Sequence, residues 1–243
     1  MSMFQDNFTV LIQGPYNDIS LNNIENYKKY GKISISCWDD LTEEQKSNLD
    51  SIGANWLSIT PLPDIEKSHG VLKDSTFFYA VNSIYNALKS VDTKYVIKTR
   101  SDEYYKNLDC FIDEFMDDDD KIVCGNIFVK NGTPYHFGDH IFVCKTKDLL
   151  CAVENLVESY TTGKGLQEWM KQGPHAAETI LCYSILNQKE KLSDDTPREI
   201  FLQNVSVVDV NNTGEFICQW QSNNQIYENH FYNHHGINTT DDY

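Results

Sequence analysis

Apolar and polar positions divide this chain into short apolar runs separated by longer amphipathic stretches. Phe8 to Gln13 (FTVLIQ) is a β-branched, apolar run that stops at Gly14-Pro15, so it predicts a buried strand closed by a turn. Lys32 to Trp38 and Trp56 to Ile59 predict two more strands, ended by Asp39-Asp40 and by Pro61 and Pro63. Tyr95 to Thr99 predicts a fourth, which runs directly into Arg100-Ser101-Asp102-Glu103. Lys121 to Val129, interrupted at Gly125, and His140 to Cys144 give a fifth and a sixth, with a loop from Gly132 to Asp139 between them. Ile200 to Val210 holds a late strand or two.

Helical spacing fills the intervals. Leu21 to Tyr30 is one such stretch, and Thr42-Glu43-Glu44-Gln45 opens another, with Thr42 as N-cap and Gln45 completing the capping box. Asp74 to Val91 is expected to be the longest helix, with Phe77, Ala80, Val81, Ile84, Ala87 and Leu88 on one face. Leu108 to Met116, Leu149 to Tyr160 and Glu178 to Lys189 complete the set. The order is β-α-β-α-β-α-β-α followed by a mixed half. That predicts an α/β fold with a mainly parallel sheet. At 243 residues without an internal repeat, a single domain over 1–243 is expected.

Composition narrows the function classes. A chain 40% hydrophobic and 12% aromatic can bury a core, which excludes global disorder. Its formal net charge of −16 argues against wrapping nucleic-acid backbones or lying on an anionic membrane. An anionic substrate would then need a local remedy: a metal ion or a few basic residues at the site. The seven cysteines are odd in number and form no close CxxC pair, so buried thiols are expected rather than disulfides or zinc. Met1 to Asn7 is polar and unlike a signal peptide, and no apolar run approaches the roughly 20 residues of a membrane span. A cytoplasmic protein is expected, in which the Asn131-Gly132-Thr133 sequon has no meaning.

Open parallel sheets bind ligands at the carboxyl ends of their strands. Here those ends read Gln13-Gly14-Pro15-Tyr16, Trp38-Asp39-Asp40, Pro61-Leu62-Pro63 and Arg100-Ser101-Asp102-Glu103. Strand alternation puts Lys98, Arg100 and Asp102 on one side. Asp102 could hold a divalent cation that bridges a diphosphate, with Arg100 or Lys98 on the same diphosphate. A self-satisfied Arg–Asp pair is the plainer reading. With no GxxxxGK[ST] and no GxGxxG, a glycine-rich phosphate cradle is not expected. Tyr135-His136-Phe137-Gly138-Asp139-His140 could orient a polyhydroxylated ligand, or be a turn with surface histidines. Glu178, after Gly173-Pro174-His175, falls at a helix start, where it could serve as a general base or only complement the helix dipole. Asp117 to Asp120 reads as a solvated loop, and the tail from Glu228 to His235 could close over a ligand or fray.

Three of these stretches together resemble one family. Gln13-Gly14-Pro15 after the first strand, Tyr95 to Asp102, and Phe137 to Val143 followed by Lys147-Asp148-Leu149-Leu150 resemble the WavE-type lipopolysaccharide-synthesis family. They are also similar to the small glycosyltransferase domain with which large algal DNA viruses decorate capsid glycans. The similarity runs from about Phe8 to Lys189. It implies a GT-A-like fold, with a nucleotide-sugar-binding half over about 8–105 and an acceptor half with the tail over about 106–243. It implies a nucleotide-diphosphate sugar donor (a UDP-sugar as the expected case), a glycan hydroxyl acceptor, Mn²⁺ or Mg²⁺, and inversion of configuration. In place of the usual Asp-x-Asp, this chain has Arg100-Ser101-Asp102, so Asp102 would take the metal. Gln13, Gly14, Pro15, Tyr16 and Trp38 would line the nucleotide, with Lys98 and Arg100 at the diphosphate. Glu178 would be the base, with Asp139 at the donor sugar or acceptor and second choice as base. For a viral chain the cytoplasm would be the host's. A nucleotide-sugar hydrolase, a nucleotidyltransferase and a non-catalytic binding module are the alternatives.

Overall fold

The computed structural model describes residues 6–37, 41–58, 76–127, 129, 135–162, 177–188, 196–220 and 225–228. In chain order the strands and helices are β1 (Phe8–Gln13), α1 (Asp18–Tyr27), β2 (Lys32–Cys37), α2 (Glu43–Ser51), β3 (Asn55–Ser58), α3 (Thr76–Leu88), β4 (Tyr95–Arg100), β5 (Glu103–Tyr105), α4 (Asp109–Asp117), β6 (Ile122–Gly125), β7 (Phe142–Lys145), α5 (Thr146–Thr162), α6 (Ala177–Leu186), α7 (Pro197–Asn204), β8 (Val205–Val208), β9 (Phe216–Trp220) and β10 (Gln225–Glu228). The main sheet has seven strands in the order β3-β2-β1-β4-β7-β6-β8. Strands β3, β2, β1 and β4 run parallel, β7 is antiparallel to both neighbours, and β6 and β8 are parallel. A small antiparallel sheet, β10-β9-β5, stands beside it. The fold is α/β with a mostly parallel central sheet, as the element order predicted.

The core lies on both faces of that sheet, and strand alternation sorts it. Val10, Ile12, Ile97, Val123 and Val143 face one side with Ile24 and Tyr27 of α1, Leu49 of α2, and Phe111 and Phe115 of α4. Leu11, Val96, Cys124 and Phe142 face the other with Val81 and Ile84 of α3, Leu149 and Val153 of α5, and Leu181 and Ile185 of α6. Because both faces are covered, the central strands are continuous apolar runs. Arg100 and Lys98 follow Val96 at two-residue steps, which aims them to the α3 and α6 side. The antiparallel β7 then matters: Phe142 pairs with Lys98, so the residues that precede β7 arrive at the carboxyl end of β4.

Several boundaries differ from expectation for local reasons. Helix α1 begins at Asp18, ahead of Leu21, because Asn17 and Ser20 form a capping box. Thr42 and Gln45 form theirs as predicted. The first part of the Ile200 to Val210 stretch read as late strands is helical, in a helix over Pro197–Asn204 started by Pro197 and a Thr196–Glu199 capping box. Helix α5 begins at Thr146 and is the longest among the described residues, at 17 residues. No described helix is long and apolar enough to cross a membrane. Cys37, Cys110, Cys124, Cys144, Cys151 and Cys182 are free thiols.

Candidate active site

One cavity of about 350 Å³ opens at the carboxyl ends of β1 and β4. Gln13, Gly14 and Pro15 line it from the end of β1, and Lys98, Arg100 and Asp102 from the end of β4. Helix α3 adds Phe77 and Ala80, the segment before β7 adds Asp139 and His140, and the first turn of α6 adds Glu178. Both sequence halves therefore contribute walls.

Two glycines let the backbones come this close. Gly14 sits at φ +135°, and a Cβ there would lie 2.3 Å from Ser101 Oγ. Its N–H donates to Ser36 O at 3.0 Å, while Ser101 N–H donates to Gln13 O at 2.9 Å, so the β1 turn is clamped between β2 and the end of β4. Gly138 passes over the end of β6, where a Cβ would meet Gly125 O at 2.3 Å and Ile127 O at 2.8 Å. That close passage delivers Asp139 and His140 to the cavity.

Charges in the cavity are arranged as partners. Arg100 donates to both carboxylate oxygens of Asp102, Nε to Oδ1 and a terminal nitrogen to Oδ2, each at 2.9 Å. Its Nε also lies 3.4 Å from Glu103 Oε1. Lys98, only 2% exposed, donates to the carbonyl oxygen of Asp139. Burial pulls its ammonium below the ordinary lysine value, and the Arg100 charge adds to this, against Asp139, Glu103 and Asp102. A phosphate oxygen beside Lys98 would therefore relieve a strained charge. For Asp139 burial acts upward, but Lys98, His140 and Arg100 outweigh it and hold the carboxyl below its usual range. Glu103 is completely buried. Burial pushes its carboxyl up too, yet the charge and hydrogen bond of His140, with Arg100 and Tyr105, bring it down to about 2. Glu178 stands 4.0 Å from His136 Nε2.

This arrangement assembles most of the predicted site. Gln13, Gly14, Pro15, Lys98, Arg100, Asp102, Asp139 and Glu178 share the cavity. Tyr16 instead packs, partly buried, against the core under α1. Trp38 lies outside the described residues, as do Gly173, Pro174, His175 and the tail histidines. Sequence reasoning missed Phe77 and Ala80 as lining residues, having placed them only on a core-facing stripe. It also missed Glu103, whose signal was present: a carboxylate directly after Asp102, with Tyr105 on the same strand face. Thiol chemistry is a poor match, because burial pushes Cys110 and Cys124 up to about 11 and about 12.

A divalent cation needs several oxygen or nitrogen donors converging on one point. Asp102 faces the cavity, but both its oxygens are taken by Arg100. Among the described residues no group of three or more His, Cys, Asp or Glu is arranged to hold a metal ion. Among the described residues, then, Asp102 has no second His, Cys, Asp or Glu group arranged with it to complete a Mn²⁺ or Mg²⁺ centre, and the tail histidines lie outside them. Lys98 and Arg100 supply N–H donors at the same place.

No protein-family model and no curated protein matches the chain. Solved structures give weak likenesses. The glycosyltransferase GlyE of Streptococcus pneumoniae TIGR4 is 15% identical over 84% of this chain and 45% of that one, with a TM-score of 0.44. This chain thus spans under half of GlyE's length. A glycosyltransferase involved in glycosylation of the major capsid of PBCV-1 is 13% identical over 84% of this chain and 81% of that one, at a TM-score of 0.38. The 4-diphosphocytidyl-2C-methyl-D-erythritol synthase of Anaerococcus prevotii DSM 20548 is 12% identical over 84% of this chain and 90% of that one, at 0.44. At these values the likenesses carry no functional weight, and the residues of the cavity must carry it.

Proposed function

We propose that this chain is a GT-A-like glycosyltransferase of the WavE or viral capsid-glycan type, moving a sugar from a nucleotide-diphosphate sugar to a glycan hydroxyl. The observation that carries the reading is the cavity itself. At the carboxyl end of a mostly parallel sheet, it brings a buried cation, Lys98, and a partly exposed one, Arg100, into one cavity with the carboxylate Glu178. Cations and a base lining one cavity suit a displacement in which an anionic group leaves and a hydroxyl arrives.

In this mechanism the β1 turn, Gln13 to Pro15, flanks the nucleotide. Lys98 and Arg100 donate to the phosphate oxygens, and Asp102 keeps the guanidinium flat and aimed. Glu178 removes the proton from the acceptor hydroxyl, whose oxygen attacks the anomeric carbon. The bond from that carbon to the diphosphate oxygen breaks, and the nucleoside diphosphate leaves with the bonding electrons, its new charge met by Lys98 and Arg100. Attack from the face opposite the leaving group inverts the configuration. Asp139 is placed to hold donor-sugar hydroxyls.

The test is a product assay with a panel of UDP-, GDP- and dTDP-sugars, with and without glycan acceptors, in EDTA and in Mn²⁺. The proposal expects glycosylated acceptor in excess of free sugar. Free sugar alone would make the protein a hydrolase, and pyrophosphate exchange a nucleotidyltransferase. Binding without turnover would make it a recognition module.

A further inference from the structure

A second feature of the cavity lies just beneath its surface. Glu103 opens β5, whose three residues pair with β9. Its side chain is completely buried, yet it bonds in three directions. Oε1 faces both His140 Nδ1 and Arg100 Nε, while Oε2 accepts from the Tyr105 hydroxyl at 2.8 Å. Its backbone is pinned as well, with Asn23 Nδ2 donating to the carbonyl at 2.6 Å. A carboxylate can only accept, so His140 carries its proton on Nδ1, and the plane of its ring is set.

A buried carboxylate is a poor choice for stability alone. Its desolvation offsets much of what its pairing returns, and a whole buried ion-pair network can often be replaced by apolar side chains without loss of stability. Two of its partners, Arg100 and His140, line the cavity. Counting Lys98 and Arg100 against Asp102, Glu103, Asp139 and Glu178, the fixed charges leave no net positive field. An anion here is gripped by directed donors rather than drawn by a net field, so the direction of each donor decides affinity.

The geometry points to Glu103 as a positioning residue: from inside the core it orients Arg100 as a hydrogen-bond donor for the phosphates of the nucleotide and, by accepting the Nδ1 proton, holds the His140 ring so that Nε2 donates to them once it carries a second proton. This rests on the nucleotide-sugar reading above. His140 touches the ligand, and Glu103 acts through it and through Arg100.

Titration calorimetry with UDP and with GDP in EDTA tests this, with thermal melting as the fold control. Glu103→Leu leaves His140 and the Tyr105 hydroxyl without their acceptor, so it is expected to lower Tm, and to weaken the bound nucleotide at least about tenfold, as lost charge-assisted bonds require. Glu103→Gln keeps an acceptor for His140 and should weaken binding only about threefold. Tyr105→Phe removes the partner that faces away from the cavity; it should lower Tm and leave Kd within about twofold. If Glu103→Leu does not fold, Glu103→Gln decides, and an unchanged Kd overturns the proposal. A wild-type Kd in Glu103→Leu overturns it too, as does wild-type binding that appears only with Mn²⁺. Both of these leave the nucleotide-sugar reading intact. Failure of the wild-type protein to bind either nucleotide, with or without Mn²⁺, overturns both.

Discussion

The two ends of β4 carry similar side chains and do different things. At its start, Lys94, Tyr95 and Lys145 gather around Asp119 and Asp120. At its finish, Lys98 and Arg100 meet Asp102, Glu103 and the segment carrying Asp139 and His140. The first group opens to the surface, with Lys94 60% and Asp120 83% exposed at their side chains, while Asp119 and Lys145 are partly covered. Hydrogen bonds from Tyr95 and Lys94 bring Asp119 to about 2, although Asp119 does not line the cavity at the other end. In the second group Lys98, Asp102, Glu103 and His140 are buried, Arg100 and Asp139 partly so, and the group borders an open volume. A perturbed carboxylate therefore says little by itself. Burial next to a cavity is what separates a site from a surface ion pair.

Substitutions can break or sharpen this contrast. The largest effect belongs to the base: Glu178→Gln is expected to lower kcat by about 10²–10⁴ while nucleotide affinity stays within about threefold, measured by product assay and calorimetry. An unchanged kcat would move the base to Asp139. Next, Gly138→Ala forces a methyl into Gly125 O and should cost up to about 3 kcal/mol in a urea titration, with loss of nucleotide binding as Asp139 and His140 shift. A stable, fully binding Gly138→Ala would show that this segment does not shape the cavity. Arg100→Ala should weaken nucleotide binding by about 2 kcal/mol, near thirtyfold, by calorimetry.

The smallest effect belongs to the other end. Asp119→Asn should cost no more than about 1 kcal/mol, less in high salt, and leave binding untouched. Its carboxyl is depressed in the fold, so its contribution is present above about pH 4 and fades as the pH falls toward 2. Denaturant midpoints of wild type and Asp119→Asn should therefore converge at low pH; a gap that widens there would contradict the assignment.

Legibility in the sequence followed the range of the interactions. Phe8–Gln13 was readable to the residue because an apolar run closed by Gly-Pro is a local signal. The Thr42 box was readable for the same reason. The equivalent box at Thr196 was overlooked because the apolar residues after it, Ile200 to Val210, dominated the pattern. Strand β5 was not readable: three residues become a strand only by pairing with β9, more than 100 positions later. The cavity residues at strand ends were legible, since alternation and topology place them. Glu103 stood in the legible 100–103 cluster, but its pairing with His140 and the ring orientation of His140 were not legible, because they depend on what the antiparallel β7 brings opposite β4.

The central claim is that the buried end of β4 binds a nucleoside diphosphate and its exposed start does not take part. Calorimetry of UDP and GDP, in EDTA and in Mn²⁺, against wild type, Arg100→Ala and Asp119→Asn tests it directly. The account predicts equal affinity for wild type and Asp119→Asn, and binding about thirtyfold weaker in Arg100→Ala. Wild-type protein that binds neither nucleotide, or Arg100→Ala that binds as tightly as wild type, would contradict it.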